Sequence, residues 1–304
     1  MTENQTSNYT TDRLPYKLTN DYLFRAVFQS RPKALEGLCR AVLHLSKEDT
    51  ISVTLQNPIE LGEKIDEKEY ILDLAILINN SRFLNLEMQV YHDPNWTDRS
   101  ISYTSRCFNN LNRGEAFDRV LPVTHIGFLN YTLFPGQPEF YSMYQLMNKK
   151  NFYIYSDKFS IGVIDLTQIE LATEEDCRYG VNLWARVFTA TTWEEIEMLA
   201  QNNEYLQEAV SGVRQLTAEE KIRQRCQDRE TNAYWERIRA AETERLKQTV
   251  SDQQSTIDNY ADKELRRILK KIKAGKSLEQ IAEELEEDVE NILPVYEKAI
   301  AQEL

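Results

Sequence analysis

The sharpest chemical signal in the chain is Leu72-Asp73, thirteen further residues, then Glu87-Met88-Gln89. Asn79, Asn80 and Ser81 lie between, and asparagine tolerates the left-handed backbone angles of a tight reversal. Folded as a hairpin about Asn80, the segment brings Asp73 roughly opposite Glu87, while Glu87 and Gln89, two apart on one strand, share a face. The residues around them, among them Ile71, Leu74, Ile76, Leu84 and Leu86, are apolar, so two carboxylates emerge from strands that read as core. Burying such a pair is costly unless it is ion-paired or binds a metal. Oxygen ligands on rigid strands suit Mg2+ or Mn2+. An ion held there can polarise a phosphodiester and lower the pKa of an attacking water, which is phosphodiester hydrolysis. On spacing alone, a salt bridge to surface Lys or Arg is an equal reading.

The elements that would position these residues follow from periodicity. Residues 1 to 15 are polar and aperiodic, the pattern of a mobile tail. Asn20 and Asp21 offer caps for a helix carrying Leu23, Phe24, Val27 and Phe28, and Pro32 suits the first turn of a second one. Strands are expected at about 51 to 57, 69 to 78 and 83 to 91, a helix from Arg99 to Asn112 with Gly114 as its stop, and strands within 121 to 133 and 153 to 166. This order predicts an α/β fold, a mixed sheet flanked by helices, with the core domain over 16 to 215.

Beyond about Leu171 the pattern is helical. Residues 216 to 262 are rich in charge and amides, as in a long solvated helical connector, and 263 to 304 form a small helical unit. There Leu265, Ile268, Leu269 and Ile272 mark one helix, Gly275 ends it, and Ser277 with Gln280 makes a capping box for the next. The basic run from Lys263 to Lys276 raises a helix-turn-helix reading. Glu286, Glu287, Asp288 and Glu290 oppose it, since phosphates repel acids, and Pro294 is expected to disturb the last helix. Docking of this unit onto the core or a partner, or homo-oligomer formation, is the preferred reading.

The formal net charge is -13. It is unevenly spread: 17 basic against 19 acidic residues over 1 to 164, 2 against 10 over 165 to 208, and 17 against 20 over 209 to 304. This balance argues against tight DNA binding by the whole surface, but leaves room for a local basic cleft in the first half. Cys39, Cys107, Cys177 and Cys226 have no zinc or disulfide spacing and read as reduced thiols. No apolar run reaches the ~18 residues of a membrane span, and Met1 to Thr11 is polar, so a soluble, cytoplasmic protein is expected. The three histidines are scattered, and no Ser or Cys stands in a nucleophile motif.

Several blocks resemble the Rpn family of recombination-promoting nucleases and transposase-like proteins, a branch of the PD-(D/E)XK superfamily. They are Thr19-Asn20-Asp21-Tyr22-Leu23-Phe24, Lys68-Glu69-Tyr70-Ile71-Leu72-Asp73, Leu84-Asn85-Leu86-Glu87-Met88-Gln89-Val90, Arg99 with Tyr103, and Gly114-Glu115-Ala116-Phe117. The resemblance runs over about 17 to 135, and its most specific part is Asn85 to Gln89. It implies a restriction-endonuclease-like core, a divalent metal and DNA cleavage linked to recombination or mobile elements. Carried onto this chain, Asp73 and Glu87 would be metal ligands, with the Met88 backbone carbonyl a candidate third. Gln89 stands where the wider superfamily has lysine; it can hydrogen-bond a water or phosphate but brings no positive charge. Asp21 and Glu36 are candidate supports for the metal, although a first-turn residue and a solvated helix position are the plainer readings. Arg99, Tyr103 and Arg106, on one helical face, are candidate phosphate contacts. The alternative function is a catalytically weak or inactive nuclease fold that binds DNA or a protein.

Overall fold

Asn20 starts the first helix: its side-chain oxygen accepts the Leu23 N–H at 3.1 Å, satisfying a donor the helix cannot. Helix α1 runs Asp21–Ser30 and α2 Pro32–Val42, with the proline in the first turn, where a missing N–H costs nothing. The computed structural model describes residues 12–57, 74–111 and 114–301. They fall into two compact units, divided between Tyr234 and Trp235.

In the first unit, β1 (Val53–Leu55), β2 (Leu74–Ile78) and β3 (Arg82–Gln89) form an antiparallel set. Asn79 and Asn80 both take positive φ, 49° and 51°, and Ser81 N–H closes the turn on Ile78 O at 3.0 Å. The chain then crosses through α3 (Trp96–Phe108) to β4 (Val123–Leu129), which lies parallel to β3. β5 (Tyr141–Met147) and β6 (Ile154–Asp165) complete a mixed six-stranded sheet ordered β1-β2-β3-β4-β6-β5. Strand β5 is not among the elements expected from periodicity; its exposed, partly apolar residues carry no inward-outward alternation to reveal it. Helix α3 stops four residues before the expected Asn112, because Asn110 turns its side chain onto Cys107 O, Leu121 O and Leu121 N–H.

One sheet face presents Leu84, Leu86 and Met88 of β3 with Ile126 and Phe128 of β4 to a large core. It is covered by α1, α2, α5 (Val181–Thr189) and α7 (Glu204–Ala218), with the rings of Phe24, Phe28, Phe128, Trp184 and Phe188 packed edge to face or tilted. Short helices α4 (Glu174–Tyr179) and α6 (Trp193–Ala200) brace that layer. The opposite face carries α3, whose Trp96 packs with Leu129, Ile161 and Val163. Ile222 and Cys226, at the start of α8 (Glu220–Lys273), also belong to the first unit's core.

The second unit holds the rest of α8, α9 (Leu278–Leu285) and α10 (Val289–Ala301) around Leu265, Ile268, Ile281 and Ile292. Gly275 takes φ 79° just past α8, and the Ser277/Gln280 capping box forms. Pro294 lies inside α10, which continues through it rather than breaking. None of the described helices is long and apolar enough to cross a membrane.

Candidate active site

Strand alternation sets the site. Asn85, Glu87 and Gln89 point from β3 toward α3, while their neighbours Leu84, Leu86 and Met88 point into the core. Parallel pairing sets Asn85 beside His125 and Glu87 beside Gly127 on β4. At Gly127 a Cβ would come within 2.3 Å of the Trp96 ring, so only glycine lets the first turn of α3 sit this close to the sheet. That approach brings Arg99, one turn on, over Glu87.

Arg99 joins three acceptors. Its Nη2 donates to Glu87 Oε1 at 2.5 Å and to Gln89 Oε1 at 2.6 Å, and its Nη1 lies 2.9 Å from Asp93 Oδ2. Gln89 Nε2 donates in turn to Tyr91 O at 2.8 Å. On the other side, Asn85 Nδ2 lies 2.6 Å from His125 Nδ1. With the amide nitrogen there, the ring accepts at Nδ1 and carries its proton on Nε2, 3.5 Å from Glu87 Oε2. Five buried polar atoms of this group have no hydrogen-bond partner among the described residues: Asn85 Oδ1, Glu87 Oε2, Trp96 Nε1, Arg99 Nε and His125 Nε2. Buried polar atoms are nearly always paired by protein or by water, which makes this gathering a candidate site.

Burial raises the Glu87 pKa, against the opposing pull of Arg99. For Arg99, burial pulls downward but Glu87 and Asp93 outweigh it, and the guanidinium is held more firmly charged than usual. His125 is fully enclosed, and burial with help from Arg99 pushes its pKa down to about 3. The ring is therefore neutral and its closeness to Glu87 is not an ion pair. Tyr131, half-buried beside Asp93, is pushed up to about 12 chiefly by burial and keeps its proton.

Of the residues expected from sequence, Glu87, Gln89 and Arg99 come together here. Tyr103, one turn beyond Arg99, sets its ring 6.3 Å from that of His125. Arg106 is exposed on the last turn of α3. Met88 buries its side chain on the core face. Asp21 is held by Arg229 and bonds its neighbour Tyr22 N–H, and Glu36 pairs with Arg40 at 2.8 Å, so each already has a local partner. Asp73 and its preceding motif lie outside the described residues; the first described pair of the ladder is Leu74 opposite Leu86. Sequence reasoning missed Asn85, Asp93 and His125 as site residues. Asn85 was within reach, being a polar residue on the same strand face as Glu87, whereas nothing local marks Asp93 or His125.

A metal can be tested against these groups. Glu87 Oε2 is buried and has no hydrogen-bond partner among the described residues, a carboxylate oxygen suited to a hard cation, but Oε1 is taken by a guanidinium. Among the described residues no cluster of three or more His, Cys, Asp or Glu could hold a metal. Among the described residues the fit is thus one carboxylate oxygen, that of Glu87.

A mixed sheet flanked by helices, with a polar strand face under a crossing helix, defines a restriction-endonuclease-like α/β core. The family model of the PD-(D/E)XK nuclease family transposases matches residues 18–244, and the chain belongs to that family. No curated protein and no solved structure matches it.

Proposed function

We propose that this protein is a divalent-metal-dependent endodeoxyribonuclease that hydrolyses phosphodiester bonds. The observation that carries the reading is Glu87: a carboxylate buried on the polar face of β3, with one oxygen fixed by Arg99 and the other without a hydrogen-bond partner among the described residues. Asp73 and Glu87 are the carboxylate ligands, with the Met88 carbonyl as third. The neighbours of the two acids, Leu74 and Leu86, are ladder partners, which supports their pairing. Mg2+ or Mn2+ bound there would polarise the phosphodiester and acidify the attacking water.

Gln89 orients that water or a phosphate oxygen through its amide. The charge glutamine lacks comes from α3: Arg99 lies 2.6 Å from the Gln89 side chain and is always protonated. On substrate entry Arg99 exchanges a carboxylate for a phosphate oxygen, and Tyr103 and Arg106 extend the contact along α3. Arg99 holds Glu87 in its rotamer through Oε1, and the neutral His125 ring, beside Asn85, lies 3.5 Å from Oε2. The expected substrate is DNA in the cytoplasm, with a role in recombination, mobile elements or defence. The helical unit at 263 to 304 serves docking.

Cleavage of supercoiled plasmid by wild type and Glu87→Ala, with Mg2+, Mn2+ or chelator, tests this. Metal-dependent nicking lost in the variant is the expected result; equal activity in both would refute the site. A second reading, a weak or inactive nuclease fold that binds DNA or protein, draws on the Arg99 to Glu87 ion pair, which competes with a metal. It predicts no cleavage and no metal-induced rise in Tm, whereas an occupied site raises Tm by mass action and loses that rise in Asp73→Ala.

A further inference from the structure

Strand β5 ends the sheet, and β6 is its sole strand partner among the described residues. From Phe140 to Asn148 the sequence has no charged residue and no proline. Edge strands are normally guarded by charge, proline or a covering segment, because their unpaired N–H and C=O groups template further pairing. Here residues 143 to 153 are all exposed. A register shift at Gln145 and Leu146 bends the strand's end, so the flat edge open to pairing is Tyr141–Gln145.

The hairpin tip beyond that bend is more apolar still. Phe152, Tyr153 and Tyr155 are 72%, 76% and 85% exposed, and Met143, Leu146 and Met147 are about half exposed. At the roughly 150–250 Å² an aromatic side chain can bury, the three rings offer several hundred Å². With the strand side chains, the patch approaches the ~800 Å² per partner that a specific interface takes. Aromatic and methionine enrichment with few charges is also the composition of an interface centre.

We infer that β5 and its hairpin are the interface through which two copies of this chain form a two-fold dimer, edge to edge. A two-fold pairs the strand with itself antiparallel, and an uncharged strand meets no like-charge conflict in doing so. Charge selects the same surface. Two copies at -13 each repel, so a neutral patch is where they approach at least cost. A nucleic-acid partner fits less well: only Lys149 and Lys150 stand at the tip, since Lys158 Nζ donates to Asp118 O and Val120 O. Such an interface is independent of the nuclease reading.

Sedimentation equilibrium of the full chain tests it, beside Tyr144→Lys/Leu146→Lys, which restores a guarded edge, and Phe152→Ser/Tyr155→Ser, which spares the strand. Circular dichroism establishes that each variant is folded, and the tip variant decides if the strand variant is not. Wild type is expected at twice the chain mass, with the dissociation constant raised at least ~30-fold in either variant. A monomeric wild type at micromolar concentrations, or a dimer unchanged by the folded variants, overturns the proposal. So does a monomer whose hairpin instead binds oligothymidylate in a salt-dependent way.

Discussion

Successive residues of β3 live in opposite worlds. Leu84, Leu86 and Met88 enter a dry aromatic and aliphatic core, while Asn85, Glu87 and Gln89 meet Arg99 and His125 with several polar atoms left unpaired. The first set stabilises the fold through its burial. The second is buried at a cost that only its partners offset, and the proposed chemistry is assigned to it. A one-residue step along the strand therefore separates two kinds of consequence, and substitutions on either side should break in different ways.

The largest effect is expected on the polar face. Glu87→Gln should bring metal-dependent plasmid cleavage to background while the unfolding midpoint in urea stays the same or rises, because a costly buried charge is removed. Arg99→Ala should lower cleavage by about 100-fold, and Arg99→Lys should recover only part of it, since lysine keeps the charge but not the fork that reaches both Glu87 and Gln89. Full recovery by lysine would mean that geometry at this position is irrelevant.

On the dry face the readout inverts. Leu86→Ala should cost about 2–5 kcal/mol in urea unfolding, with cleavage by the folded protein retained. Gly127→Ala, which drives a methyl into Trp96, should cost about 1–3 kcal/mol, and it should lower cleavage as well because α3 carries Arg99. Most of that cost should vanish in a Trp96→Leu background; persistence there would assign it to the backbone instead.

The smallest effect is a pH slope. His125 is neutral in the fold with a pKa near 3, but in the unfolded chain it gains a proton below about 6.5. A depressed folded pKa contributes stability that is present above 6.5 and lost as pH falls toward 3, by up to ~1.4 kcal/mol per pH unit. Unfolding free energies from pH 7 to 4 should therefore fall more steeply for wild type than for His125→Gln. Parallel curves would mean that the ring is not buried neutral.

Local rules made much of this legible in advance. The Asn79-Asn80 reversal, the Asn20 cap, the Pro32 start and the Ser277/Gln280 box are each decided by a few adjacent residues, because turn and cap geometry depend on nearby backbone groups. Period-two alternation likewise put Glu87 and Gln89 on one face. Strand β5 escaped because an exposed edge need not alternate, and Pro294 misled because a helix of thirteen residues with a buried face tolerates one lost hydrogen bond.

The amino-acid sequence by itself determined the class of the fold, the polar face of β3 and the nomination of Glu87, Gln89 and Arg99. Tertiary structure alone decided that Arg99 bridges Glu87, Gln89 and Asp93, and that His125, forty residues from Asn85, backs the carboxylate. The reason is the parallel crossover. Pairing of β3 with β4 joins segments through a helix whose distance from the sheet is set by one glycine, and no spacing in the sequence encodes that register.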